Sequence, residues 1–172
     1  MGGQLDTKVP GVDFNTGSLG HSVGVGAGMA LAGKMNSQKY KVITLIGDSE
    51  MFEGSVWEAL AFAGKEKLNN LIVIIDRNRL MVTEEIGNEG IFENFGAKIK
   101  NFGWDYYVID GHNFMEIIET FKKISENKKP VLILANTIKG KGVSFMENEL
   151  NWHTGIPRGK MLERARRELS RC

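Results

Sequence analysis

Four short apolar runs separated by helix-patterned segments predict an α/β fold, doubly wound, with a mainly parallel sheet flanked by helices. The runs are Val42-Ile43-Thr44-Leu45-Ile46, Leu71-Ile72-Val73-Ile74-Ile75, Tyr106-Tyr107-Val108-Ile109 and Val131-Leu132-Ile133-Leu134-Ala135. Their apolarity is continuous, not alternating, which predicts strands covered on both faces. The first three close on Gly47-Asp48, Asp76 and Asp110-Gly111, residue types that end strands.

The helices fill the gaps in order. Residues 22–34 read as a helix rich in small residues, among them Gly24, Gly26, Ala27, Gly28, Ala30 and Ala32. Glycine lowers helix propensity, so close backbone packing is expected to compensate. Residues 55–67 carry Trp57, Leu60 and Ala61 at helical spacing, continued by Leu68. Residues 113–127 place Phe114, Ile117, Ile118, Phe121 and Ile124 on one face, and Asn113 with Glu116 has capping-box spacing. Two nucleotide-binding look-alikes lie in the small-residue helix. Residues 28–34 approximate a P-loop, but Met35 replaces the required Ser or Thr. Gly24-Val25-Gly26 begins like a dinucleotide fingerprint without a preceding strand, so helix packing is the better account of both.

Composition narrows the class of function. The chain has 172 residues, 42% of them hydrophobic, and a formal charge of +1. One domain with a real core is expected. The charge balance gives no reason to expect nucleic acid or an acidic membrane surface as partner. The only cysteine is Cys172, which excludes an internal disulfide, a CxxC pair and a zinc cluster, and suits a reducing cytoplasm. No apolar run is long enough to span a bilayer and residue 1 starts no signal peptide. Residues 158–171 are locally basic but interrupted by Glu163 and Glu168, which reads as a solvated helix face.

Ligands of parallel sheets bind beyond the carboxyl ends of the strands. Asp48 follows the first strand and Asn78 lies two residues beyond Asp76 at the end of the second. On neighbouring strands they would offer a carboxylate and an amide oxygen together, a mixture that suits Mg²⁺ completed by phosphate oxygens. Taken alone, the same two residues read equally as turn formers.

The words around them resemble the transketolase family. Gly47-Asp48-Ser49 followed by Asp76-Arg77-Asn78 is similar to the thiamine-diphosphate motif that opens Gly-Asp-Gly and closes on Asn. Between them stand Glu53-Gly54, Trp57-Glu58-Ala59 and Leu68-Asn69-Asn70-Leu71-Ile72. Upstream are Pro10-Gly11-Val12-Asp13 and Thr16-Gly17-Ser18-Leu19-Gly20-His21. Downstream follow Phe102-Gly103-Trp104, Asp110-Gly111-His112, Thr137-Ile138-Lys139-Gly140-Lys141-Gly142-Val143 and Asn151-Trp152-His153. The resemblance runs from Val9 to Pro157, giving a diphosphate-binding domain over residues 1–157 and a basic helix or tail over 158–172.

The resemblance implies a thiamine-diphosphate- and Mg²⁺-dependent transketolase subunit of the split type, transferring a two-carbon ketol unit between sugar phosphates. Asp48 and Asn78 would bind the metal through side chains and Leu80 through its carbonyl. Backbone groups at Gly47 and Ser49 would approach the diphosphate, and Gly17, Leu19, Gly20 and His21 would pass the thiazolium ring. Leu19 would pack on the cofactor, and His21 is either a cofactor-side donor or a helix-start residue. Glu53 would sit at the contact joining two active sites, and His153 would face the diphosphate or the reacting carbons. His112 reads as a structural turn residue. The activating glutamate of the family belongs to a pyrimidine-binding domain with no counterpart here. A separate C-terminal, pyrimidine-binding transketolase subunit is therefore expected as partner, in a dimer of heterodimers that is inactive without it. The family's N-terminal portion before Pro10 also lacks a counterpart, and residues 2–5 carry no histidine where the family has one. Ser49 and Ser22 stand where the family has glycine; Ser49 is tolerable if its φ is negative. Two alternatives stay open: a non-catalytic remnant of such a subunit, and another thiamine-diphosphate enzyme such as deoxyxylulose-phosphate synthase.

Overall fold

The computed structural model describes residues 6–81 and 84–170, so the position considered at residues 2–5 and Cys172 lie outside them. The elements run α1 (Ser22–Met35), β1 (Val42–Gly47), α2 (Gly54–Lys65), β2 (Leu71–Arg77), α3 (Phe95–Asn101), β3 (Asp105–Asp110), α4 (Phe114–Lys123), β4 (Val131–Asn136) and α5 (Lys160–Leu169). The four strands form one sheet in the order β1-β2-β4-β3, and every pairing is parallel. All four strands and the helices near 22–34, 55–67 and 113–127 stand where the sequence predicts them. The register aligns Gly47 with Asp76, Asp76 with Ala135, and Asp110 with Asn136. The loops after all four strands therefore leave from one edge, and Asp48, Ser49, Asn78 and Leu80 leave with them.

One face of the sheet holds the larger core. Val23, Ala27 and Ala30 of α1 and Leu60 and Ala63 of α2 pack on Ile46, Leu71, Val73 and Ile75. The small residues of α1 serve this packing: a Cβ on Gly26 would meet Leu71 at 3.5 Å. Lys34, the lysine of the false P-loop, donates to the Glu66 and Lys67 carbonyls beyond the end of α2. Trp104 is 1% exposed and donates Nε1–H to the Leu60 carbonyl at 2.8 Å. Truncating a core side chain such as Leu132 to alanine would cost about 2–5 kcal/mol.

The opposite face corrects one expectation. Ile117 and Phe121 of α4, with Ile124, cover Ile72, Ile109, Val131 and Ile133. The cover stops short of β1, an edge strand whose Ile43 and Leu45 are 55% and 57% exposed. Continuous apolarity along β1 thus marks a strand that the described residues cover on one face only. α4 also shows how its cap works: Asn113 Oδ1 accepts the Met115 and Glu116 N–H groups, while Glu116 accepts from the Asn113 side chain and the Asp110 N–H. No helix among the described residues is long and apolar enough to cross a membrane.

Candidate cofactor and metal site

Asp48 opens a 3₁₀ turn, Asp48–Phe52, directly after β1, and is 1% exposed. A carboxylate so buried needs strong partners. Its Oδ2 accepts from Arg77 Nη1 at 3.0 Å and from the Arg79 backbone N–H at 2.7 Å. The second bond seats the loop after β2 against the end of β1, bringing Asn78 and Leu80 beside Asp48. Arg79 reaches this position in the left-handed region at φ 65°.

Asn78 and Leu80 form a local oxygen pair. Asn78 Oδ1 accepts the Leu80 N–H at 3.1 Å, an Asx turn that leaves the amide oxygen a second lone pair. Leu80 bridges Glu85 in an antiparallel pair whose ladder bonds run Ile86 N–H to Arg79 O and Met81 N–H to Glu84 O. Leu80 is thus a non-hydrogen-bonded position: its N–H and C=O both turn away from the hairpin, and the N–H meets Asn78. The donors of this loop and Asp48 are all hard oxygens, with one carboxylate among them. No cluster of three or more His, Cys, Asp and Glu able to hold a metal exists among the described residues. A cation here would need oxygens from a ligand, which is how Mg²⁺ meets phosphates. The donor chemistry fits Mg²⁺ with a diphosphate.

Arg77 is invisible as a site residue in the sequence, where it reads as one more charge after a strand. It is 2% exposed, donates Nη2 to the Ile86 and Gly87 carbonyls at 3.1 and 2.5 Å, and lies 3.8 Å from the Phe92 ring centroid. It fastens the loop of residues 86–92 to Asp48.

Glu50 is the second residue whose role the sequence hides. Its Oε1 accepts the Gly47 N–H at 3.2 Å and its Oε2 the Gly20 N–H at 3.0 Å. The Gly47 N–H is therefore engaged within the protein. The Ser49 N–H lies in the first turn of the 3₁₀ segment, where amides lack partners within the turn. Ser49 is absent from the positive-φ residues, so its side chain brings no backbone strain and meets the condition set by the sequence.

The segment of residues 16–21 is tied down at Gly20, which is buried at φ 82°. Ser55 Oγ donates to the Gly20 carbonyl at 2.9 Å. Leu19 is 51% exposed, Gly17 is exposed, and His21 Nδ1 lies 3.1 Å from the Leu19 carbonyl, which assigns the proton to Nδ1 and leaves Nε2 open. Glu53 is exposed at the N-terminus of α2, with its Cβ beside Gly20.

A cavity of about 500 Å³ lies along the same sheet edge, walled by Asp76, Asn78, His112, Thr137, Lys139 and Lys141. Thr137 donates its hydroxyl to Asp76. His112 Nε2 accepts the Ile138 N–H at 2.8 Å, the structural role its turn position suggests. His153 follows a 3₁₀ turn, Leu150–Trp152, and is exposed. Partial desolvation and the nearby Lys139 ammonium both push its pKa below the ordinary 6.5. Lys139 of the cavity wall thus lies close enough to His153 to disfavour its protonated form.

A parallel α/β domain with hard-oxygen donors and a lysine-bearing cavity at its carboxyl edge has side chains of the kind that suit a phosphate-bearing ligand and a hard cation. Comparison with known proteins gives the family. The family described as "Transketolase, thiamine diphosphate binding domain" matches residues 3–169, reaching through α5 beyond the motif resemblance. The chain is 44% identical, over 99% of its length, to one of the named subunits of the apulose-4-phosphate transketolase of Phocaeicola vulgatus. It is 39% identical over 94% of its length to the same subunit from Actinobacillus succinogenes. It spans 61% and 59% of those two relatives. The crystal structure of Campylobacter jejuni transketolase superposes on 93% of this chain with a TM-score of 0.85 at 30% identity, matching 26% of that chain. The chain belongs to the thiamine-diphosphate-binding domain family of transketolases.

Proposed function

We propose that this chain is the diphosphate-and-metal-binding subunit of a split transketolase, moving a two-carbon ketol unit between sugar phosphates. The observation that carries it is the 2.7 Å bond from the Arg79 N–H to Asp48 Oδ2, which seats two strand-end loops together. Asp48 and Asn78 bind Mg²⁺ through side chains and Leu80 through its carbonyl. The Ser49 N–H and the Lys139 ammonium meet the diphosphate, and Gly17, Leu19, Gly20 and His21 line the thiazolium. Leu19, with half its surface open, gives the ring an apolar wall. His153, whose protonated form is disfavoured by burial and by Lys139, faces the diphosphate or the reacting carbons of the sugar. When bound, thiamine diphosphate supplies the carbanion-stabilising chemistry, and the protein binds, orients and excludes water.

Glu53, exposed beside Gly20, faces a partner subunit that carries the pyrimidine-binding domain, in a dimer of heterodimers. Residues 1–157 form the binding domain, and α5 is the basic helix of the segment 158–172 that follows it. The function is cytoplasmic. The names of the two bacterial relatives make apulose 4-phosphate the first ketol donor to assay. Mixing this chain with a pyrimidine-binding subunit, thiamine diphosphate and Mg²⁺ should give ketol transfer that neither subunit gives alone. Turnover unaffected by omitting this chain would remove the proposal.

A further inference from the structure

We propose that Arg77 makes the cation site conditional on the diphosphate: the buried Arg77–Asp48 pair refuses a free divalent cation and admits it only together with the diphosphate. The inference rests on the reading of Asp48 as a metal ligand.

Arg77 and Asp48 side chains are 2% and 1% exposed and meet at 3.0 Å. A guanidinium does not deprotonate in a protein, so its charge stays beside the carboxylate under all conditions. Nor can it swing aside. Its Nη2 is committed to the Ile86 and Gly87 carbonyls and its face to the Phe92 ring. The pair sums to zero charge before any cation arrives. Asn78 Oδ1 and the Leu80 carbonyl are neutral donors. Asp76, the carboxylate on the cavity wall, holds the Thr137 hydroxyl and is offset by Lys139 on the same wall.

A free dication would thus meet a fixed positive charge within a few ångströms, while of the carboxylates at this strand end Asp48 is paired with Arg77 and both oxygens of Glu50 are held by the Gly47 and Gly20 N–H groups. Mg²⁺ in particular dehydrates reluctantly. A diphosphate reverses the balance, because it brings several negative charges and the missing oxygen ligands. Arg77 also decides how Asp48 binds. Two donors occupy Oδ2, and no hydrogen bond from the described residues reaches Oδ1. One oxygen remains for the cation, so chelation by both is excluded.

The test uses Mn²⁺ as probe, followed by electron paramagnetic resonance on the full chain with and without thiamine diphosphate. In the wild type, thiamine diphosphate should raise Mn²⁺ affinity at least about fiftyfold. Arg77→Met and Arg77→Gln, which free Asp48 of its counter-charge, should bind Mn²⁺ alone at least about tenfold tighter than wild type. Mn²⁺ alone should also raise their melting temperature, and should leave that of the wild type unchanged. Arg77→Lys keeps the charge and should stay conditional.

Wild-type affinity for Mn²⁺ that is the same with and without thiamine diphosphate overturns the proposal. So do folded neutral variants that still refuse Mn²⁺ alone. If both neutral variants fail to fold, the wild-type ratio and Arg77→Lys decide. A wild type that binds no Mn²⁺ even with thiamine diphosphate refutes the site reading itself, a different signature.

Discussion

Glu50 Oε2 accepts the Gly20 backbone N–H at 3.0 Å, joining two residues 30 positions apart, while Oε1 of the same carboxylate holds the Gly47 N–H. One side chain thereby sets the distance between the segment proposed to line the thiazolium and the turn proposed to hold the metal. Glu50 itself is not among the residues proposed to touch the cofactor; it acts through the backbone of Gly20 and Gly47.

Replacing Glu50 with glutamine leaves one acceptor oxygen where two are needed and turns an amide donor toward a backbone donor. Losing a charge-assisted hydrogen bond is worth about 1.5–3 kcal/mol. Glu50→Gln should weaken thiamine diphosphate binding by about tenfold, measured by calorimetry, with the far-ultraviolet circular dichroism unchanged. Unaltered affinity in a folded variant would show that the bridge does not position the segment.

Gly20 is the glycine whose backbone demands it. At φ 82° an L side chain is strained, and a Cβ would stand 2.6 Å from Ser55 Oγ and 2.7 Å from Glu53 Cβ. Gly20→Ala should lower stability by about 1–3 kcal/mol in urea unfolding. Gly24 in α1 is the control, because a Cβ there would meet no atom within 4 Å. Gly24→Ala should instead stabilise by about 0.5–1 kcal/mol.

α5 is latched by charge. Glu168 accepts from Arg164 Nε at 2.7 Å, the Ser144 N–H at 2.6 Å and the Ser144 hydroxyl at 2.9 Å. The Arg164 and Ser144 hydrogen bonds hold its pKa at about 2, below the ordinary 4.5. A depressed carboxylate contributes stability that is fully present above its unfolded pKa and disappears as pH falls through the folded one. The latch should therefore hold above pH 4.5 and open between there and about pH 2. Protease cleavage between residues 146 and 160 should accelerate across that window. Glu168→Gln should cleave fast at neutral pH and lose the dependence; a wild-type profile in that variant would contradict the latch.

The strands are legible because each is a compact apolar run, three of them closed by Gly or Asp, and the register then follows from parallel pairing. The metal candidates are legible for the same reason, since Asp48 and Asn78 stand at strand ends. What the sequence hides is long-range. Glu50 and Arg77 look like surface charges in one dimension, and only packing makes them links between loops. The exposure of one face of β1 is equally hidden, because Ile43 and Leu45 are apolar and how far α4 reaches across the sheet is a tertiary property. The short α3, Phe95–Asn101, starts after Asn94 at φ 50°, with no side-chain cap to announce it.

The central claim is that Asp48, Asn78 and Leu80 hold a metal that anchors the diphosphate. Its most direct test is calorimetric titration of thiamine diphosphate into the full chain, with Mg²⁺ or with EDTA, for wild type and Asn78→Ala. Asn78 is only partly buried, so its truncation should leave the fold intact. Saturable binding in Mg²⁺, loss of it in EDTA, and about 10–100-fold weaker binding in Asn78→Ala are expected. Equal affinity with and without the metal, or an Asn78→Ala variant that binds as well as wild type, would contradict the account.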